Sequence, residues 1–246
     1  MMNKRGSHVG MILSFVIFIT FIVFLYVVVK PAVTTGEEKK TTLDYIENMI
    51  EENVSEEFTS ISIKINSNKN PNQKCVKLEQ FFVYSMVSAY MIVKNETGNV
   101  QEAYYDPATD FDDLRINRNN KNNIFFKIYY SPKFAKLPTT TINPCNLVHY
   151  LTEYNITSIT SDMYVFERSI YNLTEYYKSN YEQLKEQFNI PPGNEFGFAF
   201  TNSSGGKIEV SMNISKSISI YAGETPVQYI DDKANIRSGF INVKVW

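Results

Sequence analysis

The chain has 246 residues and a formal net charge of −2, so it lacks the basic character typical of nucleic-acid-binding proteins. Aromatic residues make up 14% of it, and Gly and Pro number only 10 and 9, which excludes wholesale disorder. The supply of Tyr, Phe, Ile and Val favours strands, because these side chains fit a pleated surface. The composition therefore predicts a folded, strand-rich protein with no nucleic acid among its partners.

A long apolar run lies near the N-terminus. Val9–Val29 contains no charged side chain, and 16 of its 21 residues are Phe, Ile, Leu or Val. A helix of this length spans about 31 Å, the thickness of the hydrocarbon core of a bilayer. Lys30 and Pro31 follow with a charge and a helix breaker. We therefore predict a short basic N-terminus at residues 1–8, a transmembrane helix at residues 9–30 and a lipid bilayer as a partner.

A cleaved secretory signal is the main alternative for this run. Such a signal has an apolar core of about 7–15 residues followed by small residues. The run here is longer and lacks a good cleavage site after Lys30, which favours a retained anchor. Basic residues flank both ends, so the positive-inside rule does not decide the orientation.

The N-glycosylation motifs indicate on which side of the membrane the domain lies. Six N-x-S/T motifs follow the apolar run, which favours a domain outside the cytoplasm, although a chain this rich in Asn, Ser and Thr would contain about four by chance. The possible glycosylation sites are Asn53, Asn95, Asn155, Asn172, Asn202 and Asn213.

Residues 34–41 are polar, so we predict a juxtamembrane linker at residues 31–41. Residues 42–246 are predicted to form a single strand-rich extracytoplasmic domain. Apolar residues at spacings of three and four predict amphipathic helices over Leu43–Val54 and Glu167–Phe188. Alternating or apolar segments predict strands within Ser60–Asn66, Val76–Lys94, Ile124–Tyr130, Phe196–Phe200, Lys207–Ile214, Val227–Ile230 and Ile241–Val245. The polar stretch Asp106–Asn123 predicts a long surface loop. The predicted fold class is α+β, with the transmembrane helix followed by a mixed domain of antiparallel β-sheet and one or two packed amphipathic helices.

Catalytic motifs are absent from the sequence. The chain has two histidines, His8 and His149, and no G-x-S-x-G, P-loop or G-x-G-x-x-G pattern. His149 lies in an apolar stretch, which favours a packed, hydrogen-bonded core histidine over a catalytic base. We therefore expect a protein that is not an enzyme and has no cofactor, no catalytic site and no metal site.

The best candidate for a ligand site is a cluster of acids. Carboxylates that converge from one loop suit Ca²⁺, and the acids in question are Asp106, Asp110, Asp112 and Asp113. Their spacing lacks the central Gly and the terminal Glu of an EF-hand, so a solvated loop is the favoured interpretation.

The two cysteines, Cys75 and Cys145, are a possible disulfide. If the domain lies outside the cell, their bond would close a loop of roughly 70 residues and stabilise the fold by about 4 kcal/mol. Two unpaired thiols, buried as small apolar groups, are the alternative. The spacing of the two cysteines in the sequence does not decide between the disulfide and the unpaired thiols. A disulfide requires the two Cα atoms to lie within about 7 Å, and sequence spacing does not give that distance.

The order of sequence features in the first 30 residues is similar to that of a known protein family. Lys4-Arg5-Gly6 lies directly before the apolar helix, which leads into a strand-rich domain, and this order resembles archaeal type IV pilin-like and pseudopilin-like proteins. The resemblance implies a possible processing site between Gly6 and Ser7, and assembly with like subunits through the helix. The chain departs from that pattern at Met11, the fifth residue after the cut, where many pilins carry a Glu that pairs with a neighbouring subunit.

The sequence as a whole predicts a membrane-anchored protein with a structural or interaction role at the cell surface. A pilin-like subunit that assembles through its N-terminal helix is one alternative. A membrane-tethered ligand-binding or sensor module is the other.

Overall fold

The computed structural model describes residues 5–66, 74–107, 112–118, 124–139, 145–212 and 219–246, and for residues 5–9, 29 and 31–37 it describes the helical backbone alone. The helices are α1 (Arg5–Val54), α2 (Phe81–Ser85), α3 (Glu167–Ser179) and α4 (Tyr181–Gln187). The strands are β1 (Ser55–Ile65), β2 (Cys75–Leu78), β3 (Met91–Asn95), β4 (Val100–Gln101), β5 (Ala103–Asp106), β6 (Asp113–Asn117), β7 (Phe125–Tyr130), β8 (Asn146–Val148), β9 (Tyr154–Phe166), β10 (Phe196–Thr201), β11 (Lys207–Ser211), β12 (Tyr221–Ile230) and β13 (Ile236–Val245).

Two sheets contain these strands within the described part of the chain. The larger is curled and has nine strands in the order β11-β10-β13-β12-β9-β1-β7-β3-β4, and the smaller has the order β5-β6-β2-β8. Most neighbours are antiparallel, but β9 pairs with β12, and β2 with β8, in parallel. The predicted α+β class is confirmed, whereas the sheet is mixed rather than antiparallel throughout. Helices α3 and α4 lie between β9 and β12 in the chain, and such a crossover lets two strands run in the same direction.

Helix α1 is longer than the sequence predicts. Residues 31–41, interpreted above as a linker, are helical, and the helix passes Pro31 without a break. The Thr42 hydroxyl donates to the Glu38 carbonyl oxygen (2.9 Å), as a threonine in mid-helix does. Extending a formed helix costs far less than nucleating one, so a polar segment between two stable helices is readily drawn into the same helix.

The last turns of α1 pack into the first hydrophobic core. Their stripe is buried, and it meets the equally buried stripe of α3 and α4 and the inner faces of β10 and β13. The predicted helix Glu167–Phe188 is two helices, because Asn180 has a φ of −140°, outside the helical region. The buried stripe residues are Leu43, Ile46, Ile50, Val54, Ile170, Leu173, Tyr177, Tyr181, Leu184 and Phe188.

A second core lies between the β1 region of the large sheet and the small sheet. Ile61, Ile63 and Ile65 alternate along β1 and are buried there, as their pattern predicts. The predicted loop Asp106–Asn123 is wrong in part, because β6 occupies its middle and Leu114 and Ile116 are fully buried in this core. Their neighbours in β6 are charged residues, which made the segment look solvent-exposed in the sequence.

The opposite face of β1 carries a third, smaller cluster rich in aromatic rings. Phe58 stacks on Tyr129 with ring centroids 5.3 Å apart and meets Phe134 edge-on. The cluster also contains Phe166, at the end of β9, and Ala234, in the turn between β12 and β13. The curl of the large sheet therefore brings the β12–β13 turn close to β3 and β7.

Candidate functional site

The N-terminal half of α1 has no protein packed against it in the described structure. Within Gly10–Val28 none of the side chains is buried, and the segment has a mean hydropathy of 2.9. Met11 is 69% exposed, and Phe18, near its middle, is 58% exposed. A contiguous apolar surface of this size marks a site of contact with lipid or protein. This helix is long and apolar enough to cross a membrane.

The polar groups of this segment suit an apolar surrounding. The Thr20 hydroxyl donates to the Ile17 carbonyl oxygen (2.9 Å), so it does not need water as a partner. The Lys30 ammonium lies 5.3 Å from the centre of the Tyr26 ring at the C-terminal end of the segment. A lysine and a tyrosine at this point fit a membrane–water boundary, where both side chains place a polar tip in water above an apolar body.

The C-terminal half of the same helix is held firmly by the domain. Ile46 and Ile50 are fully buried, and β1 begins directly after Val54 without a connecting loop. Lys39 donates a hydrogen bond to the side-chain oxygen of Asn194, which lies two residues before β10. Helix α1 is therefore one rod, apolar and exposed at one end and built into the core at the other.

Close approach between α1 and β12 depends on Gly223. A Cβ atom at this position would lie 1.9 Å from Glu47 Oε1, so a larger residue would push the carboxylate aside. Burial raises the pKa of Glu47 against the opposing effect of a hydrogen bond from Thr225. The glycine thus lets the helix lie directly on the strand.

The residues of the possible processing site lie at the start of α1. Gly6 and Ser7 are part of its helical backbone, and Met11 follows one turn later as an exposed side chain.

The predicted acidic cluster does not form a cation site among the described residues. Asp106 is fully buried and bonds Arg115 and Lys77, whereas Asp113 bonds Lys77 at 2.8 Å. Asp112 is exposed, and Asp110 lies outside the described residues. No group of three metal-binding side chains occurs in the described ranges. The solvated-loop interpretation is therefore wrong for Asp106 and Asp113, whose charges are neutralised by the protein's own cations.

The electrostatics of Asp106 follow from this pairing. Burial alone would raise the pKa of its carboxyl, but hydrogen bonds from Arg115 and Lys77 outweigh burial and hold the pKa below its ordinary value. Sequence reasoning missed this network, because its partners come from β2, β5 and β6. The alternation of Leu114 and Ile116 around Arg115 is the one signal that could have placed it.

His149 is exposed, so the prediction of a packed core histidine is wrong. Strand β8 ends at Val148, which is fully buried, and the chain then leaves the core. The His149 Nδ1 atom lies 2.7 Å from Glu79 Oε2 in a partly exposed pair.

Cys75 and Cys145 are joined by a disulfide in the structure, with their Cα atoms 4.9 Å apart. The bond lies at the entry to the parallel pair β2 and β8, whose register aligns Val76 with Asn146. It therefore holds two short strands that are 70 residues apart in the chain.

The six sequon asparagines differ in access. The exposed ones are Asn53, Asn155 and Asn172, and Asn202 is half-buried. Asn95 is only 9% exposed, and its side-chain oxygen accepts hydrogen bonds from Thr97 and from the Asn99 N–H group. Asn213 lies outside the described residues.

Two surface grooves could hold a soluble ligand. The first, about 800 Å³, lies beside β3 and is lined by Phe134, Arg168 and Asp232 among others. The second, about 770 Å³, lies between the α3–α4 junction and β11. Neither lining includes a histidine or a cysteine.

Comparison with protein families, with curated proteins and with solved structures finds no match to this chain. The class of protein is therefore defined by the fold and the exposed helix alone. The chain is an α+β protein in which, among the described residues, one N-terminal helix is long and apolar enough to cross a membrane.

Proposed function

We propose that the chain is a single-pass membrane protein with a structural or interaction role, not an enzyme, whose domain lies outside the cytoplasm. One observation carries the proposal: a single helix exposes a 19-residue apolar segment at one end and is buried in the domain core at the other. The disulfide supports the exterior location, because such bonds persist in oxidising compartments.

Lysine substitutions in the exposed half of α1 test the anchor. The sixteen apolar residues contribute roughly −5 to −10 kcal/mol to insertion, and each central lysine costs about 2.5–3.5 kcal/mol. We expect Phe18→Lys alone to stay in the membrane after alkaline washing. The triple variant Ile17→Lys, Phe18→Lys, Phe21→Lys costs about 8–10 kcal/mol and is expected in the soluble fraction.

A matched triple variant controls for general loss of apolar surface. Tyr45→Lys, Tyr171→Lys and Phe240→Lys replace exposed side chains of the domain, which are 39%, 49% and 45% exposed. This variant is expected to remain in the membrane. If both triple variants behave alike, α1 is not the anchor.

The unbroken helix favours a more specific role, that of a pilin-like subunit. A rod that joins the domain without a loop would keep the domain in a constant orientation along a filament, while the exposed half of α1 packs against like subunits. The Lys4-Arg5-Gly6 sequence before it supports processing of the same kind.

Intact mass spectrometry of the membrane-extracted protein tests this role. Processing removes Met1–Gly6, so the mature chain is expected to begin at Ser7. A Gly6→Val variant serves as the control and is expected to keep its first six residues. A wild-type protein that retains Met1 would contradict the pilin-like proposal but leave the anchor proposal intact.

A further inference from the structure

Lys94 is a lysine buried inside the domain. It lies on β3 with only 5% of its surface exposed, and in the described ranges it forms no ion pair with a carboxylate. Its neighbours Met91 and Val93 point into the second core, whereas Lys94 and Ile92 point towards the aromatic cluster around Phe58. A lysine in such surroundings is costly to keep charged.

The ammonium group of Lys94 faces the turn between β12 and β13. Its Nζ donates to the Ala234 carbonyl oxygen (3.0 Å) and to Asn235 Oδ1 (2.8 Å), and it lies 5.0 Å from the centre of the Tyr129 ring. Burial lowers the pKa of Lys94, Asp231 opposes this change, and Arg237 adds to it. A larger fraction of this amine is therefore neutral than in a solvated lysine, and only the neutral form has a free electron pair.

The amide of Asn235 lies between this amine and a carboxylate. Asn235 Nδ2 donates to Asp231 Oδ2 (2.8 Å), while Asp231 Oδ1 accepts the N–H groups of Lys233 and Asn235 at 2.9 and 2.8 Å. A carboxylate can only accept, so Asp231 fixes the orientation of the amide, with Nδ2 towards Asp231 and Oδ1 towards Lys94. The lysine is thus next to the carbonyl group and the acid next to the leaving nitrogen.

We propose that Lys94 and Asn235 form an intramolecular isopeptide bond, with Asp231 as the group that transfers the proton. The neutral Lys94 Nζ attacks Asn235 Cγ, a C–N bond forms, and the bond from Cγ to Nδ2 breaks. In the tetrahedral intermediate both nitrogens are bonded to Cγ, so Asp231, which contacts Nδ2, takes one proton from Nζ and gives it to Nδ2, and ammonia leaves. The reaction exchanges one amide for another, so it needs no oxidant, reductant or co-reactant.

The charge state of Asp231 suits this role. Burial would raise its pKa, but hydrogen bonds from Asn235 and Lys233 and the nearby Arg237 hold the pKa below its ordinary value. The carboxylate is therefore ionised and can accept a proton. Arg237 Nε lies 3.6 Å from Asp231 Oδ2 on the solvent side.

The bond would join distant parts of the large sheet. Strands β9, β1 and β7 separate β12 from β3 in the sheet order, and Lys94 and Asn235 are 141 residues apart in the chain. A covalent link across the curl restricts the unfolded chain as a disulfide does. The reaction requires neither a membrane nor assembly, so its test is independent of the proposed function.

Peptide mapping tests the bond. The full-length protein is produced in a bacterial host without N-glycosylation, purified in detergent, reduced and digested with trypsin. Acylated Lys94 is not cleaved, so we expect one branched peptide that joins Leu78–Arg115 to Ala234–Arg237. Its mass is expected to be the sum of the two linear peptides less one ammonia.

Two variants serve as controls. Lys94→Arg keeps the positive charge but cannot form the bond, and Asp231→Asn keeps both reacting groups but lacks the proton acceptor; each is expected to yield only linear peptides from the β12–β13 turn. Wild-type protein that unfolds cooperatively and yet gives Leu78–Lys94 and Ala234–Arg237 in full amount would overturn the proposal.

Discussion

Replacing Asp106 with asparagine is expected to lower the free energy of unfolding by about 3–5 kcal/mol, the usual cost of removing one partner of a buried ion pair. Asp106 is fully buried, and Arg115 and Lys77 both bond it. An asparagine removes the negative charge that Asp106 places against the Arg115 guanidinium inside the domain. Urea unfolding of the full-length protein in detergent measures the difference.

Glu209→Gln is the matched control. Glu209 also bonds two cations, Lys207 and Lys244 at 2.7 Å each, but it lies at the surface. Exposed pairs contribute at most about 1 kcal/mol, so this variant is expected to lose little stability. If the two variants lose the same stability, the buried network does not contribute as described.

The same network makes the free energy of unfolding depend on pH in acid. The pKa of Asp106 is lower in the folded protein than its ordinary value of 3.8, so the folded state favours the charged form. This contribution is complete above the ordinary value and is lost as pH falls through the lower, folded value. The Asp106→Asn variant is therefore expected to show a flatter loss of stability below pH 4 than the wild type.

Loss of the disulfide is expected to cost about 4 kcal/mol, because the bond closes a loop of 70 residues in the unfolded chain. The double variant Cys75→Ser, Cys145→Ser should therefore unfold at a lower urea concentration than the wild type. Strands β2 and β8 are short and depend on each other, so this region is expected to lose protection against hydrogen exchange first.

Reductant provides the control for this prediction. Wild-type protein treated with dithiothreitol is expected to match the double variant, and the variant itself is expected to be unaffected by the treatment. A wild-type protein whose stability does not change on reduction would show that the two thiols are not bonded in solution.

The elements that were predicted correctly from the sequence are those whose apolar residues recur over a long stretch at one spacing, either that of a helix or that of a strand. The stripe from Ile170 to Phe188 and the alternation from Ile61 to Ile65 are buried as expected, because each pattern requires one apolar face. The apolar run at Val9–Val29 is the strongest such signal, and the structure contains Gly10–Val28 as an exposed helix.

The features that sequence reasoning missed depend on contacts between distant residues. Strand β6 looked like a loop because Asp113 and Arg115 are charged, and only their pairing across β2 and β5 permits burial. Helix α1 passes Pro31 because stable helix lies on both sides. Lys94 meets Asn235 through the curl of a nine-stranded sheet, which no local pattern encodes.

We propose that the N-terminal half of α1 lies in a lipid bilayer while the rest of the helix belongs to the domain. Photo-crosslinking in native membranes tests it, with a photoreactive residue at Phe18 in one variant and at Tyr45 in another. Both side chains are exposed, at 58% and 39%. We predict adducts to lipid acyl chains at Phe18 and none at Tyr45. Lipid adducts at neither position would show that this half of α1 does not lie in the bilayer.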